Sequence, residues 1–144
     1  MVDMANRVYD LLGWHTELYV NSSSLKELLN LLVKLPLVSI DHLGLQKNGL
    51  KSLYKLAEKG IKVKATGFGR VDFEVLPVLK EIHSIHDQSL MFGTDLPSTR
   101  SPTPYKLDDF KLVLDNFSKE DSEKILFNNA INFYKMGSHA HSVS

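Results

Sequence analysis

The sequence predicts an α/β fold of four parallel βα units, about half of an eight-unit barrel, followed by carboxyl-terminal helices. Three observations predict it. Short apolar runs alternate with stretches of helical periodicity, a pattern that forces parallel strands joined by right-handed crossovers. The polar residues that close those runs, Tyr19, His42, Arg70 and Asp95, recur at a step of about 25 residues, one βα unit each. The chain has 144 residues, well short of the about 250 that a closed eight-unit barrel takes.

Residues 4–12 carry a helical pattern stopped by Gly13, in the position just past a helix end that favours glycine. Residues 15–20 read as the first strand. Ser22, Ser23 and Ser24 then offer capping hydroxyls to a helix on which Leu25, Leu28, Leu29 and Leu32 recur at helical spacing, and Pro36 keeps it from continuing. Residues 37–41 form the second strand. A helix over 49–59 carries Leu50, Leu53, Tyr54 and Ala57 on one stripe and stops at Gly60. Residues 61–66 form the third strand. Asp72 is expected to cap a helix reaching Ile85, with Pro77 tolerated in its opening turn, and residues 89–93 supply the fourth strand. The proline-, serine- and threonine-rich stretch 97–104 is a loop leading to helices at about 107–117 and 119–135. Ser118 and Asp121 resemble a capping box, with Asp in place of the preferred Glu or Gln. The half-barrel domain is expected over residues 1–136. Residues 137–144 have no apolar pattern to hold them and are expected to form a flexible tail.

Composition narrows the function classes. With 43% hydrophobic and 24% charged residues the chain has the profile of one ordinary globular domain. Seventeen basic residues balance seventeen acidic ones and no lysine or arginine cluster could neutralise a row of phosphates, so nucleic acid is not an expected partner. No apolar stretch reaches the about 20 residues needed to span a bilayer, and the first residues lack the order of a signal peptide, so no membrane association is expected. The absence of cysteine removes disulfides and thiolate metal sites and is compatible with a reducing, cytoplasmic setting.

Side chains at the carboxyl ends of parallel strands are where α/β folds place their chemistry, which singles out the four strand-closing residues. Asp95 follows an apolar run at a partly desolvated mouth. It can serve as a general base toward water, or it can cap the turn at Leu96-Pro97. His42 can bind metal, polarise a carbonyl, move a proton, or serve only as a structural histidine. Arg70 lies in Thr66-Gly-Phe-Gly-Arg70, where two glycines allow a tight turn and the guanidinium can clamp a carboxylate or point to solvent. Tyr19 can donate a hydrogen bond or pack at the rim. His83 and His86 fit a helix-terminus role better than a metal site. His139-Ala-His141 matches a metal-binding pair only superficially, because it lies in the tail.

Together, Gly13-Trp-His-Thr-Glu-Leu-Tyr19-Val, Leu35-Pro-Leu-Val-Ser-Ile-Asp-His42-Leu-Gly44, Thr66-Gly-Phe-Gly-Arg70 and Met91-Phe-Gly-Thr-Asp95-Leu-Pro97 resemble the second half of the amidohydrolase superfamily barrel. The branch is the one containing 2-pyrone-4,6-dicarboxylate hydrolase and sugar lactonases. The closing segment Ile125-Leu-Phe-Asn-Asn129-Ala-Ile-Asn-Phe-Tyr134 is similar to that family's ending, so the resemblance covers residues 5 to 135. It implies the carboxyl-terminal half of a TIM (β/α)8 barrel. It implies that Asp95 activates water, that His42 binds metal or polarises the scissile carbonyl, and that Arg70 clamps a substrate carboxylate. Tyr19 falls where metal-binding relatives carry histidine, which implies metal-free hydrolysis of a lactone or related cyclic ester or amide. The resemblance also leaves room for a divalent metal such as zinc in the complete family barrel.

This sequence lacks the family's first-strand His-x-His and everything from strands one to four. A lone chain is therefore expected to be inactive. Its expected partners are a small carboxylate or lactone substrate and either a second copy of itself or a missing amino-terminal half-barrel, because an open sheet would expose its edges and the apolar face meant for a barrel interior. Two other readings compete: a noncatalytic half-barrel scaffold that keeps the family's residues by descent, and a small doubly wound domain of flavodoxin type. No Gly-rich phosphate loop supports the latter.

Overall fold

The structure, a computed structural model, describes the backbone of residues 1–139 and the side chains of residues 1–134. Four short strands, β1 (Thr16–Leu18), β2 (Val38–Ile40), β3 (Lys62–Ala65) and β4 (Leu90–Phe92), form one parallel sheet in sequence order. The helices α1 (Val2–Leu12), α2 (Leu25–Leu32), α3 (Leu50–Glu58) and α4 (Val75–Ile85) alternate with them, and α5 (Leu107–Asn116), α6 (Lys119–Glu123) and α7 (Asn129–His139) follow. Each strand feeds a helix that returns the chain to the sheet's starting end, as parallel pairing demands. The predicted half-barrel order is the observed one.

One face of the sheet is apolar because alternate residues Leu18, Val38, Ile40, Val63, Ala65, Leu90 and Phe92 point the same way. Against it lie Leu25, Leu53, Leu56, Leu79 and Ile82 of the three crossover helices, all fully buried. Each such side chain contributes about 1.5–3 kcal/mol on removal from water. Pro77 is the third residue of α4, where its missing N–H leaves no bond unmade. Gly13 closes α1 at φ 65°, a left-handed conformation that costs glycine nothing.

Several expected details differ. The serines do not cap α2: Ser22–Ser24 form a 3₁₀ turn and the Ser22 hydroxyl donates instead to the Gln46 carbonyl. Asp72 does not cap α4, which starts three residues later; its carboxylate accepts from the Lys47 backbone N–H at 2.6 Å. The expected helix over 119–135 is α6 and α7 joined by a π-helical turn, Lys124–Asn128, with Ser118 capping α6 by accepting from the Asp121 N–H at 3.1 Å. Residues 137–139, expected in the tail, continue α7. The remainder of the expected tail, and with it His141 of the His-x-His pair, lies outside the described residues.

The opposite face of the sheet corrects a further expectation. It carries Glu17, Ser39, Asp41, Lys62, Lys64 and Met91, so it is charged rather than apolar. Lys64 Nζ sits 2.8 Å from Glu17 Oε2 and 3.1 Å from Asp41 Oδ1. This face is also covered. The π turn packs on β4, where Asn129 Nδ2 donates to the outward-pointing Leu90 carbonyl at 2.9 Å and to the Asp87 carbonyl at 3.0 Å. From there α7 carries Phe133, 2% exposed, against the His15 ring and brings the Tyr134 hydroxyl to Glu17 Oε1 at 3.3 Å. The edge of β4 is therefore closed, while β1 remains an open edge flanked by exposed Trp14 and Tyr19.

Candidate active site

Parallel strands of equal register place whatever follows each of them on one rim. Directly after β2 the chain enters a tight turn, His42–Gly44, with His42 and Leu43 at φ 49° and 52°. Three residues after β4, Asp95 also adopts positive φ, 59°. Both side chains thus rest on left-handed backbone, which histidine and aspartate tolerate better than most residues and which costs about 1–3 kcal/mol unless the surroundings enforce it.

The four residues singled out in the sequence converge. Arg70 Nε donates to Asp95 Oδ2 at 2.6 Å, and Arg70 Nη2 donates to the Thr99 carbonyl at 2.9 Å. His42 Nε2 lies 3.8 Å from the other oxygen, Asp95 Oδ1. The Tyr19 ring meets the His42 ring edge-on, centroids 5.5 Å apart at 81°. The side chains of His42, Arg70 and Asp95 are only 12%, 12% and 18% exposed, whereas Tyr19 is 65% exposed on the open β1 side. Asp95 is therefore tied into an ion pair, and two of the three nitrogens of Arg70 are engaged within the chain.

Burial holds the His42 imidazole below its ordinary value; Asp95 and Asp41 pull it up, Arg70 and Lys64 push it down, and the net direction is downward. The shift favours the neutral ring, which presents one N–H. Asp41, next to His42, faces Lys64 under the rim. Burial raises the Glu17 carboxyl, but hydrogen bonds from Lys64 and His15 more than offset it, leaving it lowered.

The sequence reading did not single out the residues that hold His42. Thr66 Oγ1 is 2.8 Å from His42 Nδ1. Gly67, at φ 58°, lies so close to the ring that a Cβ there would come 2.7 Å from Nδ1 and 2.9 Å from Arg70 Cδ. The signal is in the Thr66-Gly-Phe-Gly-Arg70 run, whose first two residues face His42 while its arginine reaches Asp95. The Glu17–Lys64–Asp41 network was also missed; the alternation Lys62-Val-Lys64 inside a strand could have revealed a polar inner face.

Among the described residues no group of three or more His, Cys, Asp or Glu side chains could hold a metal ion, and the Arg70 guanidinium already supplies the positive charge beside Asp95. His83, a helix-end histidine as expected, pairs with Asp121 Oδ1 at 3.0 Å, and His86 Nδ1 accepts from the Gln88 N–H. No helix among the described residues is long and apolar enough to cross a membrane.

No family model matches the sequence, and no curated protein matches it. Solved structures do. The chain superimposes on a Pseudomonas putida protein provisionally assigned as a 2-pyrone-4,6-dicarboxylic acid hydrolase with a TM-score of 0.72 at 20% identity, covering 88% of this chain and 54% of that one. It matches amidohydrolase 2 from Bifidobacterium longum subsp. infantis with a TM-score of 0.68 at 22% identity, covering 90% and 52%. The chain thus spans about half the length of the structures it matches, and its fold is half of a barrel of the amidohydrolase type.

Proposed function

We propose that this chain is the carboxyl-terminal half of a hydrolase that opens a lactone or a related cyclic ester or amide bearing a carboxylate. The observation that carries the reading is the convergence of Asp95, His42 and Arg70 from three successive strand ends into one partly buried cluster. Asp95 Oδ1, the oxygen not bound by Arg70, takes a proton from water; the hydroxide adds to the ring carbonyl, and His42 Nε2–H donates to the oxyanion. When the tetrahedral adduct collapses, the ring C–O bond (C–N in an amide) breaks and the Asp95 proton passes to the leaving oxygen or nitrogen. Arg70, reorienting from Thr99, and the Tyr19 hydroxyl bind the substrate carboxylate. The charged inner face and open β1 side fit a site completed by the other half of a barrel, and the single chain is inactive.

The assay that tests this combines the chain with an amino-terminal half-barrel taken from a matched hydrolase and follows hydrolysis of a pyrone or lactone carboxylate. Activity appears only in the complex, and Asp95→Asn lowers it about 10²–10⁴-fold, the usual worth of a positioned base. An assembled complex without hydrolysis, or one indifferent to Asp95→Asn, refutes the proposal. It would favour the noncatalytic scaffold, which the existing Arg70–Asp95 pair suits equally well.

A further inference from the structure

The contacts of His42 contain more than its position. A neutral imidazole carries its proton on one nitrogen only, and the other offers a lone pair. Nε2 faces the Asp95 carboxylate oxygen at 3.8 Å, Nδ1 faces the Thr66 hydroxyl at 2.8 Å, and these two neighbours are not equivalent. A carboxylate oxygen only accepts, so an Nε2 lone pair aimed at it would be repelled while an Nε2–H is attracted. A hydroxyl both donates and accepts, so it adapts to whichever form the other side selects. Gly67 lies against the Nδ1 side of the ring and the Tyr19 ring stands edge-on to it, so both neighbours bear on its orientation.

We infer that Thr66 is a positioning residue: its hydroxyl donates to His42 Nδ1 and, with Asp95, locks the imidazole in the Nε2–H form, the one that can donate to a substrate oxygen. The use of that N–H on an oxyanion rests on the hydrolase reading; the lock itself does not. The placement explains why a threonine directly follows β3. Valine would fill the same volume but offer no hydrogen to the lone pair, leaving Nδ1 unpartnered in a partly buried place.

Long-range ¹H–¹⁵N correlation on the histidine-labelled full chain at pH 7.5 reads the tautomer directly, with His42→Gln identifying the resonances. The wild type is expected to show a pyridine-like Nδ1 and a pyrrole-like Nε2 at His42. Thr66→Val is expected to keep the proton on Nε2, as Asp95 selects, but to shift the Nδ1 resonance toward that of an unbonded lone pair with the circular dichroism unchanged, and Thr66→Ser to restore the wild-type position. An Nδ1–H form in the wild type overturns the inference. So does a Thr66→Val spectrum identical to wild type, and so does Thr66→Ser behaving like valine. If Thr66→Val fails to fold, the Thr66→Ser and wild-type spectra still decide. A locked Nε2–H form alongside an inactive reconstituted barrel would remove the hydrolase reading and leave the lock standing.

Discussion

Arg70 Nε and Asp95 Oδ2 stand 2.6 Å apart, 25 residues distant in sequence and joined across the ends of two neighbouring strands. The pair is mostly withheld from water, so each partner depends on the other for neutralisation. Arg70→Met is expected to lower folding stability by about 1–3 kcal/mol, because Asp95 and the Thr99 carbonyl are left without a donor. Asp95→Asn keeps an acceptor oxygen for Arg70 and should cost less. Urea denaturation of the two variants checks the ordering; equal losses would contradict it, and a negligible loss in both would show that the pair has no structural role.

His42 makes stability depend on pH. Its folded-state value lies below the ordinary 6.5, so the folded chain binds fewer protons than the unfolded chain between the two values. Stability from this group is fully present above about pH 6.5 and is lost as pH falls toward the folded value. Urea midpoints measured from about pH 7.5 down to about pH 5 should fall more gently in His42→Gln than in the wild type. Parallel curves would count against the assignment.

Phe133 tests whether α7 is a structural part of the half-barrel. Its ring is almost wholly buried against His15 at the foot of the sheet, and Phe133→Ala is expected to cost about 3–5 kcal/mol in the cavity it leaves. Tyr134→Phe removes only a long hydrogen bond to the half-exposed Glu17 and should cost under about 1 kcal/mol. A negligible loss in Phe133→Ala would mean that α7 does not hold this face in solution.

The open side of β1 predicts self-association. Trp14 is 62% exposed beside a strand whose outward backbone groups have no partner among the described residues, and unpaired edges with apolar flanks recruit other chains. Light scattering at high concentration is expected to show a dimer, and Trp14→Lys to return it to the monomer. A wild-type monomer under those conditions would contradict the prediction.

Much of the fold was legible because its signals are local. Runs such as Leu37-Val-Ser-Ile and Leu90-Met-Phe are apolar and short, glycines 13 and 60 mark helix ends, and the regular step between strand-closing residues carries the βα repeat. The rim residues followed from that step, since parallel register alone brings Tyr19, His42, Arg70 and Asp95 together. What could not be read were bonds between distant segments. Ser22 and Asp72 are suited to capping the next helix, yet each is drawn to the segment over 46–47 instead, and nothing near them in sequence announces that competitor. The path of α7 was equally hidden, because Phe133 and Tyr134 look like any helix stripe until β1 supplies their contacts.

Asn129, by capturing the Leu90 carbonyl, gives the molecule a blunt flank opposite a sticky one. Polymers built by adding strands need both flanks receptive, so that each newcomer presents a fresh template to the next. Were two sticky flanks to meet here, neither copy would offer a further one, and assembly by backbone pairing would halt at two copies rather than run on into fibrils.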